Sequence, residues 1–359
     1  RDDAKFTFAD VSGTVGSSDL SGDVVVNKVE GRRRVDADLR SRLLDIDDLL
    51  AVLGAEPRVT PSGDTVASSG RPGRLLPDAP LNVERLRVMD GTLRYKAARV
   101  KRNDLDVRQV DIGADLKSGI LNLDPVAFAF NHGELRGTAK INATRDRPYS
   151  AVDFRLRNYP LESIIPARGG QPTVTGRALG RARLEGPGAS VHDFAANSKG
   201  TISLVVPQGR MREAFAELLG INVLAGLLKM DDNSTAEIRC AVASFDVSGG
   251  TATARTFVID TSPVLAQGSG TIDLGAETMN LRIDGETKEA RLVRLWSPIT
   301  VQGPLTGPKV GIDAGSVAAQ GGLAAALGAL VSPLAALLPF VDPGLAEDAN
   351  CGALISSAR

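Results

Sequence analysis

Residues 268–285 read GSGTIDLGAETMNLRIDG, and apolar side chains fall on every second position. Ile272 and Leu274 share one face, and Met279, Leu281 and Ile283 resume it after a Gly-Ala-Glu-Thr turn. Thr271, Asp273, Asn280, Arg282 and Asp284 share the other face. A period of two predicts strands with one buried face, and a short turn between two such runs predicts an antiparallel hairpin. The hairpin holds no evident nucleophile, base or metal ligand.

The same alternation recurs on both sides of it. Residues 24–42, 91–100, 105–123, 126–130, 135–143, 151–158, 177–186, 199–207 and 236–259 read as strands, punctuated by turn residues such as Asp90-Gly91 and Ser248-Gly249-Gly250. The runs lie too close together for crossover helices, so an all-β, mainly antiparallel meander is expected. With an offset of 115 positions, residues 20–50 lie on residues 135–165 without a gap. Leu20 then meets Leu135, Gly22 meets Gly137, Asp38 meets Asp153, Arg40 meets Arg155 and Arg42 meets Arg157. A repeated strand module argues for an extended sheet or solenoid.

This pattern divides the chain into a first β repeat (1–53), a Gly/Pro/Ser-rich loop (54–80), a second β repeat (81–190), a C-terminal β region (191–315) and an apolar helical tail (316–359). Within the C-terminal region, residues 211–230 place Ala214, Phe215, Leu218, Leu219, Val223, Leu227 and Leu228 on one helical stripe. From Ala314 to Val341 no residue is charged. That length suits a membrane span, but Gln320, Gly321-Gly322, Pro333 and Pro339 interrupt it. A buried or end-capping helix pair, an interfacial helix and a span all stand open.

A formal net charge of −1 offers no electrostatic footprint for nucleic acid. The basic cluster Arg32-Arg33-Arg34 follows Gly31 and reads as a solvated hairpin turn. Neither histidine, His132 or His192, is spaced with other ligands as a metal requires, and no phosphate-cradling glycine loop is present, so no metal or cofactor is expected. Ser190, His192 and Asp193 lie too close in sequence to assemble as nucleophile, base and orienter. The carboxylates of Asp45-Ile-Asp-Asp48 keep a glycosidase on a β-solenoid as a distant alternative. Cys240 and Cys351 match no metal motif and are either two buried thiols or one long-range disulfide. The chain opens on Arg1 with no signal-peptide pattern, which fits a mature or trimmed chain lacking its targeting segment.

Aromatic residues make up only 4% of the chain, so any core or groove is lined by aliphatic side chains. An apolar sheet face must be covered by a second sheet, a helix or a ligand. A closed sandwich is the commoner solution, whereas an open groove with this lining would suit acyl chains.

Several stretches resemble the AsmA family of bacterial envelope proteins. They are residues 190–211 (SVHDFAANSKGTISLVVPQGRM), 216–228 (AELLGINVLAGLL), 235–283, 297–314 (SPITVQGPLTGPKVGIDA) and the Cys-containing tail 337–355. Residues 81–100 and 120–141 resemble it more diffusely. The resemblance implies a periplasmic body behind an inner-membrane anchor that these residues lack, and no enzymatic activity. It moves the expected fold from sandwich to a curled, repeat-built sheet forming an apolar groove, with short helices capping the C-terminal end. Phospholipids are the implied partners, passing between inner and outer membranes, beside an outer-membrane or envelope protein. The implied floor is Val126, Phe128, Phe130, Val152, Phe154, Leu156, Ile272, Leu274, Met279, Leu281 and Ile283. In an oxidising periplasm the resemblance also implies a Cys240–Cys351 disulfide. The rival reading within the family is a scaffold for outer-membrane protein assembly.

Overall fold

A computed structural model describes residues 5–29, 31–45, 57–59, 65–67, 74–78, 80–81, 83–101, 107–163, 165, 172–213, 216, 219, 234–290, 297–330, 341 and 343–358. Seventeen strands form one sheet. They are β1 (Phe6–Val15), β2 (Ser18–Val29), β3 (Arg32–Ser41), β4 (Met89–Ala97), β5 (Val107–Lys117), β6 (Ile120–Phe130), β7 (Glu134–Asn142), β8 (Tyr149–Pro160) and β9 (Val174–Pro187). After them come β10 (Lys199–Val206), β11 (Gly209–Arg212), β12 (Thr235–Ser248), β13 (Thr251–Thr261), β14 (Val264–Asp273), β15 (Thr278–Thr287), β16 (Ile299–Pro304) and β17 (Lys309–Ile312). Among the described residues the α-helices include α1 (Val83–Val88), α2 (Val191–Ala196), α3 (Ala314–Leu330) and α4 (Cys351–Ala358).

Each strand pairs with its sequence neighbours, and β10 and β11 share one lane between β9 and β12. Every ladder of the sheet is antiparallel except β3 with β4, which is parallel from Arg33/Met89 to Ser41/Ala97. A parallel pair needs a return connection. Residues 42–88 supply it, and this junction is the one departure from antiparallel pairing in a sheet that is otherwise the mainly antiparallel meander expected.

Three other expectations are corrected. Arg32, Arg33 and Arg34 are not a turn but the start of β3, where Arg32 Nε meets Asp90 at 2.9 Å and Arg34 Nε meets Asp36 at 2.8 Å. Met211 and Arg212 end strand β11 and are not the first turn of a helix. Glu213, Ala216 and Leu219 are helical, and the rest of 211–230 lies outside the described residues. The expected helical tail is helical over Ala314–Leu330 and Cys351–Ala358, with residues 343–350 non-helical between them. Residues 331–340 lie outside the described residues. Among the described residues, no helix is long and apolar enough to cross a membrane.

The repeat is visible in the register. Gly22 stands opposite Leu39, and Gly137, 115 positions on, stands opposite Phe154. A Cβ on Gly22 would lie 2.0 Å from the carbonyl oxygen of Asp38, and one on Gly137 2.3 Å from that of Asp153. Both glycines let the neighbouring backbone close in on the apolar side, and Gly91, Gly200 and Gly270 do the same on other strands. Glycine kinks of this kind bend a sheet toward the face that carries them. Gly137→Ala is therefore expected to destabilise the protein by about 2 kcal/mol or more, as overpacking does, read as a fall in the urea midpoint.

Aspartates on the opposite face sit in ion pairs that hold their carboxyls below the ordinary range. The Leu43 and Arg42 amides do this at Asp19, Arg34 at Asp36, Arg32 at Asp90 and Arg181 at Asp153. Groups whose folded pKa is depressed stabilise the fold above their unfolded value, and that contribution vanishes as pH falls through the folded one. Urea midpoints should therefore stay level from neutral pH to about pH 5 and decline progressively below about pH 4.

Candidate functional site

Directly opposed residues in an antiparallel ladder share a face. One such row runs unbroken from β6 to β16: Leu123, Ala139, Val152, Leu184, Gly200, Val247, Ala252, Ile272, Met279 and Gly303. The next row joins Val126, Gly137, Phe154, Ala182, Ile202 and Phe245. A third joins Phe128, Leu135, Leu156, Gly180, Leu204, Ala243 and Phe257. Phe130 continues β6 two residues beyond Phe128. Leu281 faces Val301 and Ile283 faces Ile299, while Leu274 packs with Ile272 and Met279 around Val247 and Ala252. The eleven residues named from the sequence thus fall on one face. On the other, Arg136, Thr138 and Lys140 alternate outward along β7.

Most of the apolar face is half-buried, and among the described residues a short parallel pair, Leu44–Asp45 beside Val100–Lys101, packs its Leu44 and Val100 with Tyr95, Val107, Val110 and Phe128 at one end of it. The sheet bends around its own apolar side as a trough. Leu204 in its middle is 38% exposed, and the face ends uncovered at Phe8 of β1 (51%) and Ile312 of β17 (52%). A cavity of about 1180 Å³ borders Leu123, Val152 and Leu184 but also Lys140, Asp153 and Glu185, so it is not an enclosed apolar chamber.

One end of the trough is strapped. Returning toward β4, the chain lays residues 74–78 against α2 and the turn of the 268–285 hairpin. Leu75 and Leu76 donate their amides to Glu277, which is buried and holds a left-handed backbone. His192 Nδ1 lies 3.4 Å from the same carboxylate, and Arg74 stands 3.2 Å from His192 Nε2. The Leu81 amide donates to Ala189 O at 2.7 Å, and Arg87 of α1 donates to Ala143 O and Arg145 O. Phe194 of α2 packs on the Leu184–Phe245–Leu281 cluster. Ser190 caps α2 by accepting from the Asp193 amide, and Asp193 binds Arg147, so these side chains shape a helix start. The sequence marked Glu277 only as a turn residue. Its anchoring role depends on a partner segment some two hundred positions away, which no local pattern announces.

The tail is fixed to the other face. Cys240 and Cys351 are disulfide-bonded with Cα atoms 5.9 Å apart. Beside them, fully buried Asp260 is held by Lys288, by Arg239 at 3.2 Å and by the Ala349 amide at 3.0 Å. Asp348 links the same two cations, and Lys288 holds its carboxyl below the usual range. α4 then lays Leu354, Ile355 and Ala358 on Val205 and Val242. Among the described residues, Cys240, Asp260 and Cys351 form the one cluster close enough to grip a metal. The disulfide and the two cations on Asp260 make it unsuited to one.

Comparison with known proteins adds the following. A profile of the AsmA family matches residues 7–257. The chain is 28% identical over 370 residues to the AsmA family protein YhjG of Escherichia coli (strain K12), covering 99% of this chain and 53% of that protein. The chain thus spans about half the length of this curated relative. No solved structure matches.

Proposed function

This chain belongs to the AsmA family, whose members are envelope-associated, and from that premise we propose that its apolar trough is a non-enzymatic phospholipid-binding surface in the periplasm. Its work is to assist lipid movement between the inner and outer membranes. The observation that carries this reading is the unbroken apolar row from Leu123 to Gly303, bent around itself, with Leu184, Val247 and Ala252 buried and the rest partly exposed. Acyl chains need dry contact without directional partners, and a continuous apolar floor lets them slide with a small barrier. An open long side leaves the polar headgroup in water. An exposed apolar surface of this extent otherwise favours aggregation.

Lipid extraction from the purified protein, paired with native mass spectrometry, tests the reading. Phospholipid should be recovered bound to the folded chain. A protein that emerges lipid-free and stays so after incubation with phospholipid would favour the scaffold reading instead.

A further inference from the structure

On the polar face, the register sets Arg136 of β7, Arg155 of β8 and Arg181 of β9 directly opposite one another. Like charges so placed repel. The carboxylate beside this row, Asp153, is already taken: Arg181 binds it at 3.0 and 2.8 Å through Nε and Nη2, and Arg183 at 3.3 Å. Glu134 is held by Arg157 at 3.5 Å. Among the described residues, Arg136 and Arg155 have no carboxylate partner in an ion pair.

The fold does not demand this row. In the first repeat, the position equivalent to Arg136 is Ser21, opposite Arg40, and its hydroxyl donates to Arg40 O at 3.3 Å. Meanwhile the Asp19–Arg42 pair, at 3.1 Å, recurs as Glu134–Arg157. The structural pair is kept in both copies, and the extra arginine is specific to the second. Two clefts flank it. One of about 260 Å³ is bordered by Arg136, Arg155 and Arg157, with Asp124 and Glu134 at its margin. The other, about 410 Å³, is bordered by Arg155, Arg157 and Arg181, with Ala358 of α4 on its wall.

We infer that this arginine row is a binding site for a phosphate group, on the face of the sheet opposite the trough. Guanidinium forks match phosphate oxygens in bidentate geometry, and a bound dianion removes the repulsion that Arg136 and Arg155 create. The phosphate belongs either to a lipid headgroup at a membrane surface or to a soluble anion. Because the site lies on the polar face, it does not rest on the trough's lipid reading.

Melting curves in sodium phosphate and in sodium chloride of equal ionic strength test it, for the wild type, Arg136→Ser and Arg155→Gln. The wild type should melt higher in phosphate, with a saturable dependence. Arg155→Gln should weaken phosphate affinity about ten-fold or more, the worth of a charge-assisted hydrogen bond. Arg136→Ser installs the first repeat's residue, so it should fold, melt no lower than wild type in chloride, and lose the phosphate response. Co-sedimentation with phosphatidylglycerol vesicles separates the sources. Retention that Arg155→Gln abolishes assigns the phosphate to a headgroup, and a melting response without retention assigns it to a soluble anion. Equal melting in both salts without vesicle retention, or responses unchanged in both variants, would overturn the inference.

Discussion

Replacing Cys240 and Cys351 together with serine is expected to lower stability by about 4–5 kcal/mol. The bond closes a segment of 111 residues, and in the chain-entropy model a loop of that size gives a figure of this order. It also anchors the tail next to Asp260, a carboxylate buried among Lys288, Arg239 and the Ala349 amide. When the tail swings away, Asp260 loses an amide donor and Lys288 and Arg239 lose Asp348. The urea midpoint should fall by a corresponding amount. Limited proteolysis should clip the chain around residues 343–350, which lead into α4. A double variant whose midpoint and cleavage pattern match wild type would show that the ion cluster alone holds the tail.

Phe154→Glu is expected to abolish lipid retention. Phe154 stands mid-row between Gly137 and Ala182, so a carboxylate there would be forced against any acyl chain crossing β8. Desolvating a charge costs several kcal/mol, and each 1.4 kcal/mol is about a ten-fold loss of affinity, so lipid affinity should drop by about a hundred-fold or more. Phe154 also packs close to Gly137, with its ring 2.5 Å from where a Cβ on that glycine would sit. Leu204→Glu serves as the second variant, because Leu204 is 38% exposed and a charge there reaches water in the lipid-free protein. Leu204→Glu should fold as wild type and still lose lipid. Normal lipid recovery from a folded Leu204→Glu protein would show that the third row lies outside the lipid path.

Much of the sheet was legible because its rule is local. In Thr278–Thr287 apolar and polar residues alternate one by one, and burial follows that alternation closely. The repeat was legible for the same reason, since Gly22 and Gly137 answer one steric demand. Sequence spacing failed where geometry depended on distant partners. Nothing near β3 reveals that β4 will pair with it in parallel, because the connection is pinned by distant partners, Leu76 on Glu277 and Arg87 on Ala143. Arg32 looked like a solvated turn because Asp90, its partner, lies fifty-eight positions away. Met211 stood at the start of the helix expected over residues 211–230, yet the ladders to Val174 and Ala236 hold it in a strand, where tertiary pairing overrides local periodicity. The arginine row is likewise invisible to spacing, because the register and not the sequence brings Arg136, Arg155 and Arg181 together.

The central claim is that the apolar face holds acyl chains. Site-specific photocrosslinking tests it most directly, with a photoreactive residue at Ile272 on the apolar row and another at exposed Thr201 on the polar face. In cells grown with labelled phospholipid, Ile272 should capture label and Thr201 should not. Equal labelling at the two positions, or none at Ile272, would contradict the account.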